Sequence, residues 1–175
     1  LAAIIAVIGT YFLANVFLCP PGGIIAAIIL SSAPLLIGEA HMAKSDALLL
    51  ASVVIAQFGL IRTYRNYVSW LNWLCLWGGI GLGVMIKGPV TPLVIFLTVL
   101  VVSIIDREVK WVFKLKPLSG FSLVACICLP WIISIQIQSS GEFLQSSLGQ
   151  DLLPKLLSGV ESHGLPPGYY LLLAL

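Results

Sequence analysis

Apolar residues fill this chain in long blocks broken by short polar or Pro/Gly-rich stretches, and each block approaches the about 20 residues a helix needs to cross a hydrocarbon core. The blocks run roughly over 2–18, 22–38, 47–61, 70–86, 90–105 and 118–135, and another starts at 169. Pro20-Pro21-Gly22-Gly23 parts the first two, and the polar run from Glu39 to Asp46 precedes the third. Between Trp70 and Ile105 the single charged side chain is Lys87, in a tract far too long for one crossing. A lysine at the bilayer centre costs roughly 2.5–3.5 kcal/mol on insertion scales, so Ile86-Lys87-Gly88-Pro89 is expected as a tight turn at one membrane face. Gly88 frees the backbone there and Pro89 starts the next helix. The pattern predicts an all-α, polytopic transmembrane helical bundle.

Composition narrows the class further. Of 175 residues, 59% are hydrophobic and 9% charged, with a mean hydropathy of +1.08. Soluble domains carry about 25% charged residues, so a water-solvated surface is excluded. A net charge of +2 with no basic stripe gives no footprint for nucleic acid. Cys19, Cys75, Cys126 and Cys128 lie in or beside apolar spans and read as small hydrophobes, and Cys126-Ile127-Cys128 lacks the two-residue spacing of a zinc or redox pair. The chain starts at Leu1 and stops inside the apolar run Tyr169 to Leu175, with no charged segment ahead of the first span. It reads as a fragment of a larger membrane protein, without a cleavable signal peptide.

Basic residues in the short loops set the expected orientation. Alternating spans place Arg62, Arg65, Arg107, Lys110, Lys114 and Lys116 on one side, and Lys44, Lys87 and Lys155 on the other. The first side is expected to be cytoplasmic, flanked by Tyr64, Tyr67, Trp70, Trp73 and Trp111 as an aromatic belt. The Glu39–Asp46 stretch, the Lys87 turn and the 136–168 loop then face outward.

Glu39 and Asp46 are seven residues apart, which on one helix puts them on one face. Carboxylates there can hold a cation, position a hydroxyl or act as a base. Spacing alone favours the alternative, a solvated polar turn at a membrane boundary. Lys44 and Lys87 are candidate phosphate ligands, each a compact charge with three donors, although Lys44 also suits an interfacial snorkeller. In the 136–168 loop, leucines at 144, 148, 152, 153, 156 and 157 recur at near-helical spacing, as in an amphipathic surface helix. Glu161-Ser-His-Gly-Leu-Pro-Pro-Gly-Tyr-Tyr170 then leads back toward the membrane, and His163 beside Glu161 reads either as surface or as a metal or acid–base group.

Three segments together resemble a known superfamily. Ser31-Ser-Ala-Pro-Leu-Leu-Ile-Gly-Glu-Ala-His-Met-Ala-Lys-Ser-Asp-Ala-Leu-Leu-Leu50 is similar to the acidic third-span entry of bacterial lipid-linked-sugar glycosyltransferases. So is Gly81-Leu-Gly-Val-Met-Ile-Lys-Gly-Pro89, and so is Leu129-Pro-Trp131 followed by His163-Gly-Leu-Pro-Pro-Gly-Tyr-Tyr170. These resemble protein mannosyltransferases and lipid A aminoarabinose transferases, which share the GT-C fold. Two positions depart from the pattern: His41 stands where arginine is common, and Ile86 where threonine usually precedes the lysine-glycine pair.

The resemblance implies inverting transfer of a sugar from a polyprenyl-phosphate donor to a lipid, glycan or protein acceptor, on the outer face of a multi-pass protein of the bacterial inner membrane. That spans lipid A modification and protein glycosylation. Asp46 matches the family's second acidic position, and Glu39 joins it as a catalytic candidate. The principal catalytic aspartate is expected upstream of Leu1, so the fragment alone is expected to be inactive. Lys44, Lys87, Tyr169 and Tyr170 are the substrate-binding candidates. The cofactor the resemblance raises is a divalent metal, since His163 matches a histidine that can ligate one in some members. The alternative is a multi-span transporter, for which charges near the midplane rather than at one face are expected; a third is a structural membrane subunit. The sequence identifies neither sugar nor acceptor, and does not specify oligomeric state.

Overall fold

A computed structural model describes residues 1–18, 20–41 and 45–138, all as helices and their connections. Seven α-helices follow one another among the described residues: α1 (Ala2–Phe17), α2 (Pro20–Ser31), α3 (Pro34–His41), α4 (Asp46–Tyr64), α5 (Trp70–Lys87), α6 (Val90–Asp106) and α7 (Pro117–Gln138). A 3₁₀ turn, Lys110–Leu115, joins α6 to α7. The boundaries follow backbone chemistry. Pro20, Pro34 and Pro117 open helices, where a missing N–H is harmless and φ is already set. Gly88, at φ 62°, ends α5 in a conformation that side-chain-bearing residues resist, and its N–H closes on the Val84 carbonyl at 2.9 Å.

The expected second segment, 22–38, is divided. Pro34 cannot donate to the α2 ladder and instead begins α3, while Ser31 and Ser32 turn their hydroxyls back on Ile28 and Ile29 carbonyls at 2.9 and 3.0 Å. The connection 107–116, expected as a plain loop, contains the 3₁₀ turn, which seats Trp111 and Leu115 in the core. Helix α7 runs to Gln138, three residues past its expected end at 135.

The chain divides into two compact units, Leu1–Cys128 and Leu129–Leu175. The second is described only through the end of α7, where Ser134 Oγ donates to the Pro130 carbonyl at 2.7 Å. In the first, the most extensive packing is between the antiparallel helices α4 and α5, followed by α1 on α4. The α4–α5 seam is rich in small residues. Ser52, Ala56, Gly59 and Thr63 on α4 meet Asn72, Leu76, Gly79 and Gly83 on α5, all buried and spaced four, three, four. A Cβ on Gly79 would stand 2.9 Å from both Ala56 N and Ser52 O, and one on Gly59 would strike the Asn72 carbonyl. Lipid tails are as apolar as leucine, so helices in a bilayer associate through such close backbone contact rather than through hydrophobic burial. Above the seam, Leu60, Leu76, Trp77, Ile80, Ile95, Trp111 and Leu115 form the core, with Trp77 Nε1 donating to the Leu115 carbonyl at 2.9 Å.

The outside is the inverse of a soluble surface. Large apolar side chains stand exposed on α2 (Ile24, Ile25, Ile28, Ile29) and on α6 (Leu93, Phe96, Leu97, Ile104). Such continuous apolar faces mark a lipid environment. Among the described residues, Asp46–Tyr64 and Pro117–Ile135 are each long and apolar enough to span a membrane, with hydropathies of 1.6 and 2.1. At 1.5 Å per residue α4 is about 28 Å long, close to the hydrocarbon thickness of about 30 Å.

Candidate functional site

Asp46 sits in the first turn of α4 and Lys87 in the last turn of α5, and the antiparallel pairing brings these 41-residue-distant side chains together as an ion pair. Each end suits its charge, since the helix dipole favours an anion at an N-terminus and a cation at a C-terminus. Both side chains are open, Lys87 at 46% and Asp46 at 38% exposure. A pair this open contributes about 0.2–1 kcal/mol to stability, too little for the fold to depend on it.

The floor beneath the pair is rigid and polar. Thr91, wholly buried on α6, lies 3.4 Å from Ser52 Oγ, which itself donates to the Leu49 carbonyl at 2.7 Å. Gly83 lets Thr91 approach so closely that any Cβ would collide with its hydroxyl. This three-helix contact lies one turn below Gly88 and holds the α5–α6 turn that carries Lys87. Beside Asp46 opens a cavity of about 270 Å³, walled by Leu30, Ala33, Leu35, Leu36, Ala47 and Leu50, with Asp46 its one charged lining residue among those described. An apolar cavity with an ion pair at its edge fits an amphiphile: a hydrocarbon chain inside, an anionic or hydroxylic group at the rim.

The other sequence candidates fall differently. Glu39 is on α3 and Asp46 on α4, so the seven-residue spacing does not place them on one helical face; Ser45 caps a new helix between them. Lys87, expected to seek an external anion, has a protein carboxylate as partner, a pairing invisible in sequence because it depends on the α4–α5 register. Lys44, His163, Tyr169 and Tyr170 lie outside the described residues, as do 139–168 and the span expected from 169. Cys75, Cys126 and Cys128 are free thiols. Among the described residues no three His, Cys, Asp or Glu side chains group to hold a metal ion.

The opposite end gathers a second polar set, expected from the sequence as orientation-setting basic residues and an aromatic interface belt. Tyr64 donates to the Asp106 carboxylate, Lys114 donates to Asn66 Oδ1 at 2.5 Å, and Arg62 lies over the Phe58 and Tyr67 rings, 5.4 Å from each centroid. Arg65 lies 5.7 Å from the Phe17 ring centroid, tying α4 to the end of α1.

The family model for dolichyl-phosphate-mannose-protein mannosyltransferase matches residues 1–133, which include α1 to α6, the Asp46–Lys87 pair and most of α7. The chain belongs to that family. Membership makes it a glycosyltransferase chain of the GT-C type, and the apolar helices accord with a membrane protein. No curated protein and no solved structure matches it. The match ends at 133, ahead of His163, Tyr169 and Tyr170, so those three candidates draw nothing from it.

Proposed function

We propose that the full-length protein transfers a sugar from a polyprenyl-phosphate donor to a lipid, glycan or protein acceptor, as a multi-pass enzyme on the outer face of the bacterial inner membrane. The observation that carries this reading is the Asp46–Lys87 pair at the rim of an apolar cavity, in a chain of the mannosyltransferase family. A polyprenyl-phosphate sugar has three parts, and each finds a chemical match: the isoprenoid tail suits the leucine-lined wall, the phosphate suits the Lys87 ammonium, and a hydroxyl suits the Asp46 carboxylate.

In the transfer, the bond between the anomeric carbon and the phosphate oxygen breaks, and polyprenyl phosphate leaves with the bonding electrons. The acceptor oxygen attacks the opposite face and loses its proton to a base. The resemblance assigns that base to an aspartate of the full-length chain upstream of Leu1. Lys87 holds the departing phosphate, exchanging part of its bonding from Asp46 to the phosphate oxygens. Asp46 keeps Lys87 in place beforehand and then orients the acceptor or stabilises charge developing at the sugar. Glu39, Lys44, Tyr169 and Tyr170 belong to the same proposed site on the strength of the resemblance, and His163 stands as its proposed metal ligand.

The direct test uses the purified full-length protein in sealed vesicles with a radiolabelled polyprenyl-phosphate sugar. Release of polyprenyl phosphate together with labelled acceptor is the expected outcome. Passage of intact donor or free sugar across the vesicle wall, with no acceptor labelled, would replace the enzyme with a transporter.

Orientation has its own test. Single cysteines placed at positions 146 and 66, in a background lacking the four native cysteines, are treated with a membrane-impermeant thiol reagent in intact cells. Position 146 is expected to label at once and position 66 only after permeabilisation, as the basic bias of 62–66 and 107–116 requires. The reverse pattern inverts the assignment of faces.

A further inference from the structure

At the end of the bundle opposite Asp46 and Lys87 lies a cavity of about 450 Å³, framed by the first turn of α5, the 3₁₀ turn and the first turn of α7. Its polar lining includes Thr63, Ser69, Trp70, Trp73, Lys114, Lys116 and Ser119, with no carboxylate among the described residues that line it. Lys114 uses one of its three N–H donors on Asn66 and keeps two. Lys116, exposed and in the left-handed region at φ 49°, follows it across the cap of the 3₁₀ turn. Ser69 caps α5 without bonding its side chain to the helix it starts. The indole nitrogen of Trp73 is buried and has no hydrogen-bond partner. A buried N–H left without an acceptor loses about 1–3 kcal/mol, so such donors are rarely retained unless something fills the place. Two helix N-termini add the positive ends of their dipoles to the same space.

We propose that this cavity binds a phosphate group carrying net negative charge, with Lys114 and Lys116 as its counter-charges and the Trp73 indole N–H and Ser69 hydroxyl as neutral donors. A buried indole N–H without an acceptor, two cations with no carboxylate among the described lining residues, and tryptophans (Trp70 and Trp73) of the type that sits at headgroup depth all fit that chemistry. Neither the transfer reaction nor the Asp46–Lys87 site is involved, so this site stands or falls independently of them. The phosphate has two possible sources, an anionic phospholipid headgroup or free inorganic phosphate.

Binding is measured on the full chain in a neutral detergent, by thermal shift and by titration with short-chain phosphatidylglycerol, short-chain phosphatidylcholine and inorganic phosphate. Wild type is expected to be stabilised by phosphatidylglycerol and not by phosphatidylcholine. Stabilisation by inorganic phosphate as well assigns the source to the free anion, and its absence assigns it to the lipid. Lys114→Gln with Lys116→Gln should weaken binding about thirtyfold, the order expected when two lysines facing one anion are removed. Trp73→Phe removes the N–H together with one of the two fused rings, so its own unliganded melting temperature is the reference, and the ligand-induced shift measured from it should report binding about tenfold weaker. Arg107→Gln with Lys110→Gln removes the same charge without touching the cavity lining and should change nothing. Equal binding by wild type and Trp73→Phe, equal response to phosphatidylcholine, or equal loss from the Arg107/Lys110 variant would each overturn the proposal.

Discussion

Asp46→Asn in the full-length protein is expected to reduce sugar transfer about 10²- to 10³-fold, the range seen when one positioned proton-transfer or charge-stabilising group is removed, with membrane insertion and abundance unchanged. The amide keeps the size of the carboxylate but loses the charge that both holds Lys87 and answers positive charge at the sugar. Lys87→Met should show a comparable loss, with weaker donor use because the phosphate loses its counter-charge. Magnitudes separate this from a structural role. An ion pair as open as Asp46–Lys87 contributes about 0.2–1 kcal/mol, which limits any purely structural effect to about fivefold. The exchanged pair Asp46→Lys with Lys87→Asp sharpens the test. It can rebuild the bridge between α4 and α5, although each charge then opposes its helix dipole at about 0.3–1 kcal/mol, so the protein should still fold, while transfer should not return, because cation and carboxylate have traded places relative to the cavity. Recovery of transfer in the exchanged pair, or near-normal turnover of Asp46→Asn, would reduce the pair to a link between helices.

The helical segments were legible in the sequence because their ends are set by local backbone chemistry. Pro20-Pro21-Gly22-Gly23, Gly88-Pro89 and Pro117 break or start helices wherever they stand, and α5 and α6 meet at Gly88-Pro89, where the lone charge required a turn. Pro34 was equally visible but stood inside an apolar block whose length suggested one span, so hydrophobicity overrode a local stop signal and hid the break before α3. The candidate site was legible only in its parts. Lys87 stands out as a lone charge in an apolar tract and Asp46 as the end of a polar run, yet their pairing follows from the register of two antiparallel helices, which no local pattern encodes. The same holds for the cavity at the basic end. Lys114 and Lys116 read as orientation signals, and only the folding of the 3₁₀ turn against α5 and α7 places them beside the unpartnered Trp73 indole. The seam stands in the sequence at four-three-four spacing on both helices, but it carries neither a charge nor a helix break to mark it.

That seam carries the largest expected effect on stability. A Cβ at Gly59 would lie 2.6 Å from Leu76 N and closer still to the Asn72 carbonyl, both backbone atoms that no rotamer change can clear. Gly59→Ala therefore forces α4 and α5 apart along their whole contact, and overpacking of this kind typically costs 1–3 kcal/mol, about five- to 150-fold in the folded fraction. Gly79→Ala should act in the same direction with a smaller effect, since its Cβ meets Ala56 N and Ser52 O at 2.9 Å. Gly78 supplies the control. It adjoins Gly79 on α5, but a Cβ there meets nothing within 4 Å, so Gly78→Ala should be neutral or stabilise by about 0.5–1 kcal/mol through helix propensity. Thermal unfolding of the three full-length variants in one detergent gives the order: Gly59→Ala lowest, Gly79→Ala next, Gly78→Ala at or above wild type. Because the seam fixes the register that joins Asp46 to Lys87, Gly59→Ala should also lose transfer activity below its melting temperature, and Gly78→Ala should keep it. If Gly59→Ala and Gly78→Ala melted alike, the two helices would not be in backbone contact, and the ion pair at their end would lose its structural basis.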